Sequence, residues 1–513
     1  MTLLILDRDF TVGKIDPRMF GSFVEHLGRS VYSGIYEPGH PTADPKGFRG
    51  DVLELVKELG VTVVRYPGGN FLSGYKWEDG VGPVEQRPQR REMAWMATET
   101  NKFGTNEFID WCRMADIEPM MAVNLGTRGP AEAGEFYEYC NHPGGTTLSD
   151  LRRAHGYPEP HNIHLWCLGN EMDGPWQMGH CDAVEYGRRA REAAKLMRFP
   201  DANRSSTPAP DLEFVACGSS GRVQPTFGTW ERQMLEQCYE QVHYVSLHTY
   251  YNAPLNQPVS SLMQADLMGR FIDEVAATCD AVAAAKKIDR KLMLSFDEWN
   301  VWNASPDAQE WAPAWTIAPP QLEQVYTLLD ALLVGGMGLS LLARADRVKI
   351  ACLAQLVNVI APIMTEPGGR AWRQTIFWPF HDLSRYGRGT VLRPAIRQRN
   401  QVRYAPIGSR AAKEVEADAI QTVVVAKEDG GITIFALNRS DSPQDLQVTL
   451  RGEDMPVSLQ QWRCLCGDDL GVSNTSGNPD HVRPQAREGA AFVGGTLTAK
   501  LPPFSWNVFL LDC

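Results

Sequence analysis

The fold is decided by the stretch IHLWCLGNE, residues 163–171, and by a second stretch of the same design, LMLSFDEWN, residues 292–300. Each is a short apolar run that leads directly into a polar segment with a glutamate, Glu171 in the first and Glu298 in the second. Parallel strands with acids at their carboxyl ends present those acids at one face of a barrel. The two stretches therefore predict a parallel barrel with two carboxylates at its mouth.

Six further apolar runs repeat this pattern, and stretches of helical periodicity separate them. The predicted barrel strands are residues 20–24, 61–66, 119–124, 163–169, 214–218, 244–249, 292–296 and 351–356. The predicted helices are residues 51–59, 106–115, 131–140, 183–197, 230–241, 262–287, 322–337 and 373–383. Eight strand-then-helix units predict a closed (β/α)8 barrel, a TIM barrel, over residues 17–387.

The turn after the first predicted strand argues against nucleotide binding. An open doubly wound sheet would also alternate strands and helices, but it would be expected to carry a glycine-rich phosphate-binding turn there. Residues 25–29 instead read EHLGR, and no predicted strand-to-helix turn contains GxGxxG or a Walker motif. The sequence therefore predicts a barrel that uses no cofactor.

Beyond about residue 388 the pattern changes to period-two alternation with turn signals. The predicted strands are residues 420–425, 432–437, 446–450, 457–461, 492–498 and 506–511, and the Asp429-Gly430-Gly431 turn joins the first two. Residues 3–12 also have the pattern of one strand, which is expected to pair with this C-terminal sheet. The sequence thus predicts a second domain, an all-β, jelly-roll-like sandwich, from residues 1–16 and 388–513.

Composition narrows the possible partners. Fifty Lys and Arg against 62 Asp and Glu give a net charge of −12, which disfavours nucleic acid and anionic membranes and suits a neutral substrate. The apolar run at the N-terminus has five residues, too few for a signal peptide, and no longer run approaches a membrane span. Eleven scattered cysteines suit reduced thiols better than disulfides. A cytoplasmic protein is expected.

Polar residues at the ends of the predicted strands are the candidate site, because these positions face the mouth of the barrel. They are Glu25, His26, Arg65, Asn70, Asn170, Glu171, His248, Tyr250, Asp297, Glu298, Gln355 and Asn358. Two carboxylates that flank a sugar are what retaining glycoside hydrolysis requires, although an ion-pair network at the rim could also use these acids. Because neighbouring strand residues alternate sides, Asp297 is expected to point away from the mouth.

The ordered motifs resemble those of the family 51 α-L-arabinofuranosidases, retaining (β/α)8 glycosidases, over essentially the whole chain. They are FVEHLGR at 23–29, RYPGGN at 65–70, GNEM at 169–172, SLH at 246–248, DEWN at 297–300, AQLVN at 354–358 and LPPFSW at 501–506. The resemblance implies exo-acting hydrolysis of terminal arabinofuranosyl residues from arabinan or arabinoxylan oligosaccharides. It also implies a homo-oligomer, commonly a hexamer.

The resemblance further implies roles for individual residues. Glu171 would be the acid/base, kept protonated by its neighbours, and Glu298 the nucleophile. Arg65 and His248 would lie beside the nucleophile, with Arg65 helping to keep it ionised, and Trp95 would lie on the aglycone side. The residues that would hold the furanose hydroxyls are Glu25, Asn70, Asn170, Tyr250 and Gln355.

Two other functions remain open on the sequence. An endo-β-1,4-glucanase or xylanase could use the same scaffold, with an open cleft and tryptophans on both sides of the acids. A barrel retained for sugar binding without catalysis is the second. Trp299, Trp302, Trp311 and Trp315 follow the seventh strand and are candidates to stack on sugar. His155, His161 and His164 match no zinc spacing, so no metal site is predicted.

Overall fold

The computed structural model of the chain describes residues 1–198, 211–303, 312–407, 414–452 and 458–512. Eight parallel strands close into a barrel in which each strand pairs with its neighbours in sequence order. These strands, numbered first to eighth below, are Gly21–Phe23, Val63–Tyr66, Glu118–Val123, Leu165–Leu168, Glu213–Ala216, Tyr244–Tyr251, Met293–Val301 and Val348–Ala354. The predicted TIM barrel is confirmed, with every predicted strand in its place.

Helices surround the barrel. The α-helices are Gly50–Leu59, Thr105–Ala115, Pro130–Asn141, Thr147–Ala154, Ala183–Arg198, Thr229–Cys238, Pro258–Lys286, Leu328–Leu342 and Phe377–Tyr386. Short 3-10 helices are Pro17–Phe20, Asn70–Gly74, Trp77–Gly80 and Val84–Gln86. The apolar faces of the α-helices pack on the outside of the strands. An inner layer of side chains that includes Phe23, Val63 and Ile350 fills the barrel. No helix within these ranges combines the length and apolar character that crossing a bilayer takes.

The predicted helix at residues 373–383 begins too early, since the structure has Phe377–Tyr386 and Arg373 belongs to a strand. The one at residues 322–337 also has the wrong bounds. The helix begins at Leu328 and continues to Leu342. Thr327 fixes the start, because its hydroxyl accepts from the backbone N–H of Asp330 and the Asp330 carboxylate accepts from the N–H of Thr327. Residues 322–327 therefore precede the helix and do not form its first turns.

Most of the remaining strands build two sheets that face each other. The five-stranded sheet has the order Ala395–Gln398, Thr2–Asp7, Gln444–Arg451, Thr496–Leu501, Ala491–Val493. The seven-stranded sheet has the order Thr11–Lys14, Thr390–Leu392, Ile420–Ala426, Ile432–Asn438, Ser505–Asp512, Ser458–Leu465, Gln485–Ala486. One apolar core, including Leu6, Val448, Ile434 and Phe509, lies between them. The predicted β-sandwich is confirmed.

Two predicted single strands are each divided in the structure. Residues 3–12 form two strands, and each enters a different sheet of the sandwich. Residues 492–498 span a hairpin, because Gly494 and Gly495 both take the left-handed conformation, with φ of +55° and +73°, that a tight two-residue turn needs. Three separate hairpins complete the strands: Arg90–Glu92 with Ala97–Glu99, Ile363–Thr365 with Ala371–Arg373, and Gln401–Tyr404 with Val415–Asp418.

The barrel and the sandwich share a packed interface. Trp506, from the seven-stranded sheet, is fully buried, and its indole N–H donates to Asp382 Oδ2 over 3.1 Å. Gly335, on the barrel's Leu328–Leu342 helix, lies so close to this indole that a Cβ there would approach it to 2.8 Å. Trp506 is therefore a packing residue and does not form a sugar-binding surface.

Candidate active site

A cavity of about 470 Å³ opens at the carboxyl-terminal mouth of the barrel. Its lining is formed by Phe23, Glu25, Leu27, Gly69, Asn70, Trp95, Glu171, Trp176, Ser220, Tyr250, Glu298, Trp302, Leu322, Gln355 and Ile360. The sequence-predicted site residues in this lining come from six strands and the loops that follow them. The barrel thus brings together side chains that are up to 330 residues apart in the chain.

Three side chains hold the Glu298 carboxylate. Arg65 Nη1, from the second strand, donates to Glu298 Oε1 over 2.6 Å, and the Tyr250 hydroxyl donates to Oε2 over 2.9 Å. His248 Nδ1 lies 3.6 Å from the same Oε2. These three groups orient the carboxylate oxygens. Because Glu298 is only 6% exposed, water contributes little to its solvation.

Glu171 lies directly across the cavity from Glu298. His248 Nδ1 contacts Glu171 Oε1 at 2.9 Å, and the Trp176 indole N–H donates to Glu171 Oε2 over 2.8 Å. One oxygen of Glu171 and one of Glu298 lie within 4.8 Å of each other. Glu171 takes a left-handed backbone conformation, φ +44°, which is strained for a residue with a side chain.

Asp297 does not point away from the mouth as the alternation of a regular strand predicts. Its carboxylate lies inside the barrel, where it accepts from Ser246 Oγ over 2.5 Å and lies 3.6 Å from Arg65 Nε and 3.4 Å from His248 Nε2. The reason is a β-bulge, because the seventh strand has one more residue between positions 295 and 299 than either neighbouring strand. The extra residue lets Asp297 and Glu298 both face inward.

The charges of this cluster are interdependent. Although burial disfavours the imidazolium, the carboxylates of Glu298, Asp297 and Glu171 raise the pKa of His248 to about 10. Burial raises the pKa of Glu298, and the His248 imidazolium and Arg65 guanidinium oppose that rise by favouring the carboxylate. Against the same cost of burial, Arg65 and His248 hold the pKa of Asp297 below its usual value. Two buried cations therefore serve the carboxylates at the bottom of the cavity.

Glu25 occupies a separate part of the cavity wall. Its Oε1 accepts from the backbone N–H of Phe71 over 2.9 Å and from the Trp95 indole over 3.0 Å, while Oε2 accepts from Gln355 Nε2 over 3.1 Å. Burial, opposed by the first two of these hydrogen bonds, raises the pKa of Glu25 to about 8. A carboxyl with this pKa can donate as well as accept a hydrogen bond near neutral pH.

Two asparagines join the second and fourth strands at the cavity wall. Asn170 Oδ1 accepts from Arg65 Nη2 over 2.6 Å, and Asn170 Nδ2 lies 3.4 Å from Asn70 Oδ1. A Cβ at Gly69 would come within 3.2 Å of Glu298 Oε1 and 3.3 Å of a Glu25 oxygen. Glycine at this position lets the loop pass close to both acids.

Several residues singled out from the sequence lie elsewhere. His26 contacts Glu99 and Tyr66, behind the cavity wall, and Asn358 bonds the Arg29 carbonyl and Thr365. The tryptophans after the seventh strand divide: Trp302 lines the cavity, Trp299 is buried in the core, Trp315 lies under the Arg91 guanidinium, and Trp311 falls outside the described residues. The proposal that Trp299 stacks on sugar is therefore wrong.

Trp176 is the main site residue that the sequence analysis did not name. It lies five residues beyond Glu171, is 49% exposed and donates to its carboxylate. The signal available was its place in the fourth loop, close in sequence to a candidate acid. Phe23, Leu27, Ser220, Leu322 and Ile360 also line the cavity without having been expected.

Glu171, His248 and Glu298 are also the one group of described residues whose ligand atoms are close enough to hold a metal ion. The raised pKa of His248 opposes that use, because a metal requires the neutral imidazole. The histidines near residue 160 do not form a cluster: His155 contacts Tyr139, His161 contacts Asn106, and His164 contacts the Asp211 carbonyl.

Family models, sequence relatives and a solved structure all relate this chain to the same family of proteins. Residues 55–267 match the family model described as the α-L-arabinofuranosidase 1 domain, and residues 297–505 match the α-L-arabinofuranosidase C-terminal domain. A protein from Streptomyces lividans named intracellular exo-α-(1→5)-L-arabinofuranosidase is 52% identical over 98% of this chain and 74% of its own. One from Bifidobacterium longum named exo-α-(1→6)-L-arabinofuranosidase is 47% identical over 98% and 96%.

A solved structure agrees with the sequence relatives. A family 51 α-L-arabinofuranosidase from Bifidobacterium longum superposes with a TM-score of 0.91 at 43% sequence identity. The superposition covers 100% of this chain and 99% of that chain. The likeness therefore extends over both the barrel and the sandwich.

Proposed function

The chain belongs to the family 51 α-L-arabinofuranosidases, and we propose that it is an exo-acting glycoside hydrolase of this specificity. It removes terminal arabinofuranosyl residues from arabinan and arabinoxylan oligosaccharides, with retention at the anomeric carbon. One observation carries the reaction: Glu171 and Glu298 face each other with oxygens within 4.8 Å. Retaining hydrolysis uses carboxyl groups about 5 to 5.5 Å apart, whereas inverting hydrolysis needs roughly 6.5 Å or more to admit water.

In the first step Glu298 is the nucleophile and Glu171 the acid. A Glu298 oxygen attacks the anomeric carbon while Glu171 gives its proton to the departing glycosidic oxygen. The bond from sugar to leaving group breaks, the bond from sugar to Glu298 forms, and a covalent arabinosyl-enzyme results. Arg65 and His248 support the attack because both cations favour the ionised form of Glu298.

In the second step Glu171 acts as the base. Esterification removes the negative charge of Glu298. Of the two acids that His248 Nδ1 contacts, only Glu171 can then carry a negative charge. Glu171 takes a proton from water, the water oxygen attacks the anomeric carbon, and the bond to Glu298 breaks. The sugar leaves with its original anomeric configuration, and both acids return to their starting states.

The cavity wall supplies groups that match a furanose. Glu25, Asn70, Tyr250 and Gln355, which line the cavity, and Asn170, which lies beside Asn70, offer donors and acceptors for its hydroxyls. Trp95, which also lines the cavity, is proposed to lie on the aglycone side. In the transition state, hydrogen bonds to the 2-hydroxyl that tighten as charge develops are expected to contribute several kcal/mol.

Burial of the acids favours exo action over the endo-glucanase or xylanase alternative. Glu25 is 2% exposed and Glu298 6% exposed, as expected of a pocket that takes one terminal sugar. An endo-acting enzyme requires a cleft open at both ends, in which a chain can pass the acids. The buried ion pairs around Glu298 argue against a barrel that binds sugar without hydrolysing it, since such a barrel has no need of an oriented carboxylate pair.

Three further features are proposed with the activity. The name of the Streptomyces relative includes the word intracellular, which supports a cytoplasmic location.

The proposed division into two domains, residues 17–387 and residues 1–16 with 388–513, is supported by strand pairing. Thr2–Asp7 and Thr11–Lys14 both pair with C-terminal strands. A homo-oligomer, hexameric by family resemblance, is proposed for solution and is tested by light scattering after size-exclusion chromatography.

The function is tested by a substrate panel. Release of nitrophenol from the 4-nitrophenyl α-L-arabinofuranoside is measured beside the β-xyloside and a soluble β-glucan. Preferred hydrolysis of the arabinofuranoside is expected, and linear arabino-oligosaccharides should yield arabinose and the oligosaccharide shortened by one residue as the early products. Cleavage of the glucan alone would favour the endo alternative, and no hydrolysis at all would favour sugar binding. Paired (1→5)- and (1→6)-linked disaccharides then assign the linkage, on which the two relatives differ.

A further inference from the structure

The hairpin of Arg90–Glu92 and Ala97–Glu99 carries Trp95 in its turn. Glu92 ends the first of these strands and is 6% exposed. Its Oε1 accepts from the backbone N–H of Ala94 over 2.7 Å, and its Oε2 accepts from the backbone N–H of Trp95 over 2.6 Å. One carboxyl group thereby satisfies two backbone donors of the turn.

We infer that Glu92 is a positioning residue that sets the Trp95 indole against Glu25 for hydrolysis. The inference rests on the proposed function, because Trp95 and Glu25 serve catalysis if the cavity binds an arabinofuranosyl group. Glu92 itself does not line the cavity. It acts through the backbone of Trp95, whose indole N–H donates to Glu25 Oε1 over 3.0 Å.

The contacts around the turn make Glu92 the inner anchor of Trp95. On the outer side, the Trp95 carbonyl accepts from Gln321 Nε2 over 3.0 Å, and the Met96 carbonyl accepts from the Trp315 backbone N–H over 2.6 Å. These contacts fix the turn to the seventh loop. The Glu92 carboxyl group fixes the backbone N–H groups of Ala94 and Trp95. It therefore sets the position and direction of the Cα–Cβ bond of Trp95, from which the indole extends.

Loss of the carboxylate would leave two donors of a tight turn without their acceptor. Such donors rotate toward water, which changes the backbone dihedral angles at Ala94 and Trp95. A displacement of about 1 Å of a group that positions substrate can cost on the order of 100-fold in rate. A change at Glu92 is therefore expected to act on turnover through Trp95, over and above any effect on stability.

A double-mutant cycle on the 4-nitrophenyl arabinofuranoside tests this coupling. Glu92→Ala and Trp95→Ala are each expected to lower kcat/KM by about 10- to 100-fold. The kcat/KM of the double variant should lie within about twofold of that of the less active single variant. The reason is that Glu92 has no further function in catalysis once the indole is absent. Glu92→Gln, which keeps one acceptor oxygen, should recover part of the loss.

Glu132→Ala is the matched control. Glu132 Oε2 also accepts a backbone N–H, that of Gly129 over 3.0 Å, but at a helix start outside the cavity lining. Its kcat/KM should stay within about twofold of wild type. Losses that multiply in the Glu92 and Trp95 double variant, or a Glu92→Ala enzyme as active as the control, would overturn the inference.

A crystal structure of Glu92→Ala, or of Glu92→Met, which also lacks the acceptor, if the first variant does not fold, gives a readout that does not depend on turnover. The inference expects Trp95 Nε1 to move out of hydrogen-bond distance of Glu25, and an indole that stays in place would overturn it. An inactive wild type with a displaced indole in the variant would contradict the proposed function and leave the positioning role standing.

Discussion

The floor of the cavity and its rim are built differently. The floor is the set of buried polar residues on or directly after barrel strands: Arg65, Asn170, His248, Asp297 and Glu298. The rim is the set of tryptophans on the loops: Trp95, Trp176 and Trp302. Each floor residue is 6% exposed or less and contacts at least two other polar groups, whereas Trp176 is 49% exposed and has one polar partner, Glu171.

This difference assigns different tasks to the two regions. A closed ring of parallel strands holds the floor residues rigidly, and rigid, desolvated groups are what charge stabilisation during bond cleavage needs. Loops tolerate change, and aromatic side chains on them can adapt to different aglycones. Glu171 connects the two regions, because its Oε1 contacts His248 of the floor and its Oε2 accepts from Trp176 of the rim.

The largest effect is expected at the floor. Glu298→Ala removes the group that forms the covalent bond, so kcat should fall by at least about 10⁴-fold on every arabinofuranoside. The rate of nitrophenol release measures this, and the melting temperature shows that the variant is folded. Residual activity within about tenfold of wild type in a folded variant would refute the nucleophile assignment.

A smaller, substrate-dependent effect is expected at Glu171. Glu171→Ala should cost about 10² to 10⁴-fold on an arabino-oligosaccharide, whose leaving group needs a proton. The first step on a 4-nitrophenyl arabinofuranoside should be affected much less, because nitrophenolate leaves without acid help. A burst of nitrophenol followed by slow turnover is the expected time course. Equal losses on both substrates would contradict the acid/base role.

The charge network of the floor should appear in the stability of the protein. The pKa of His248 is raised from 6.5 to about 10, so its stabilising contribution is fully present below pH 6.5 and is lost as the pH rises through about 10. Between pH 7 and 10 the free energy of unfolding of wild type should fall on the order of 3 kcal/mol more than that of His248→Gln. Urea denaturation measures both, and parallel pH profiles would show that His248 is neutral in the folded protein.

The smallest effect is expected at the rim. Trp176→Phe removes the indole N–H donor to Glu171 and keeps an aromatic face, so kcat/KM should fall by about fivefold, the equivalent of one hydrogen bond of roughly 1 kcal/mol. For Trp176→Ala, kcat/KM should fall further on oligosaccharides than on the 4-nitrophenyl arabinofuranoside. A loss at Trp176→Phe as large as that of a floor variant would remove the distinction between floor and rim.

Much of the barrel could be predicted because its strands are buried on both faces and therefore appear as apolar runs. The acids Glu171 and Glu298 could be located because each follows such a run. The bulge that turns Asp297 inward could not, since one extra residue in a strand leaves the apolar pattern unchanged. Helical periodicity predicts too early a start for the helix that begins at Leu328, although Thr327 and Asp330 have the spacing of a capping box.

The loops were the least predictable part of the site. Trp176 and Trp302 line the cavity, and Trp299 does not, because loop path and strand direction decide where each indole points. The turn that carries Trp95 is held by the acid Glu92 at the end of the preceding strand, and sequence periodicity has no bearing on such a contact. Side chains in regular elements follow from spacing, whereas these follow from tertiary packing.

The separate roles of Glu171 and Glu298 are tested most directly by the anomeric configuration of the products formed with azide. Each acid is replaced by alanine, the 4-nitrophenyl α-L-arabinofuranoside is supplied with sodium azide, and the glycosyl azide is identified by NMR. In Glu171→Ala, azide should attack the covalent intermediate and yield the α-azide; in Glu298→Ala, azide should displace nitrophenolate directly and yield the β-azide. The reverse pair of products would contradict the account.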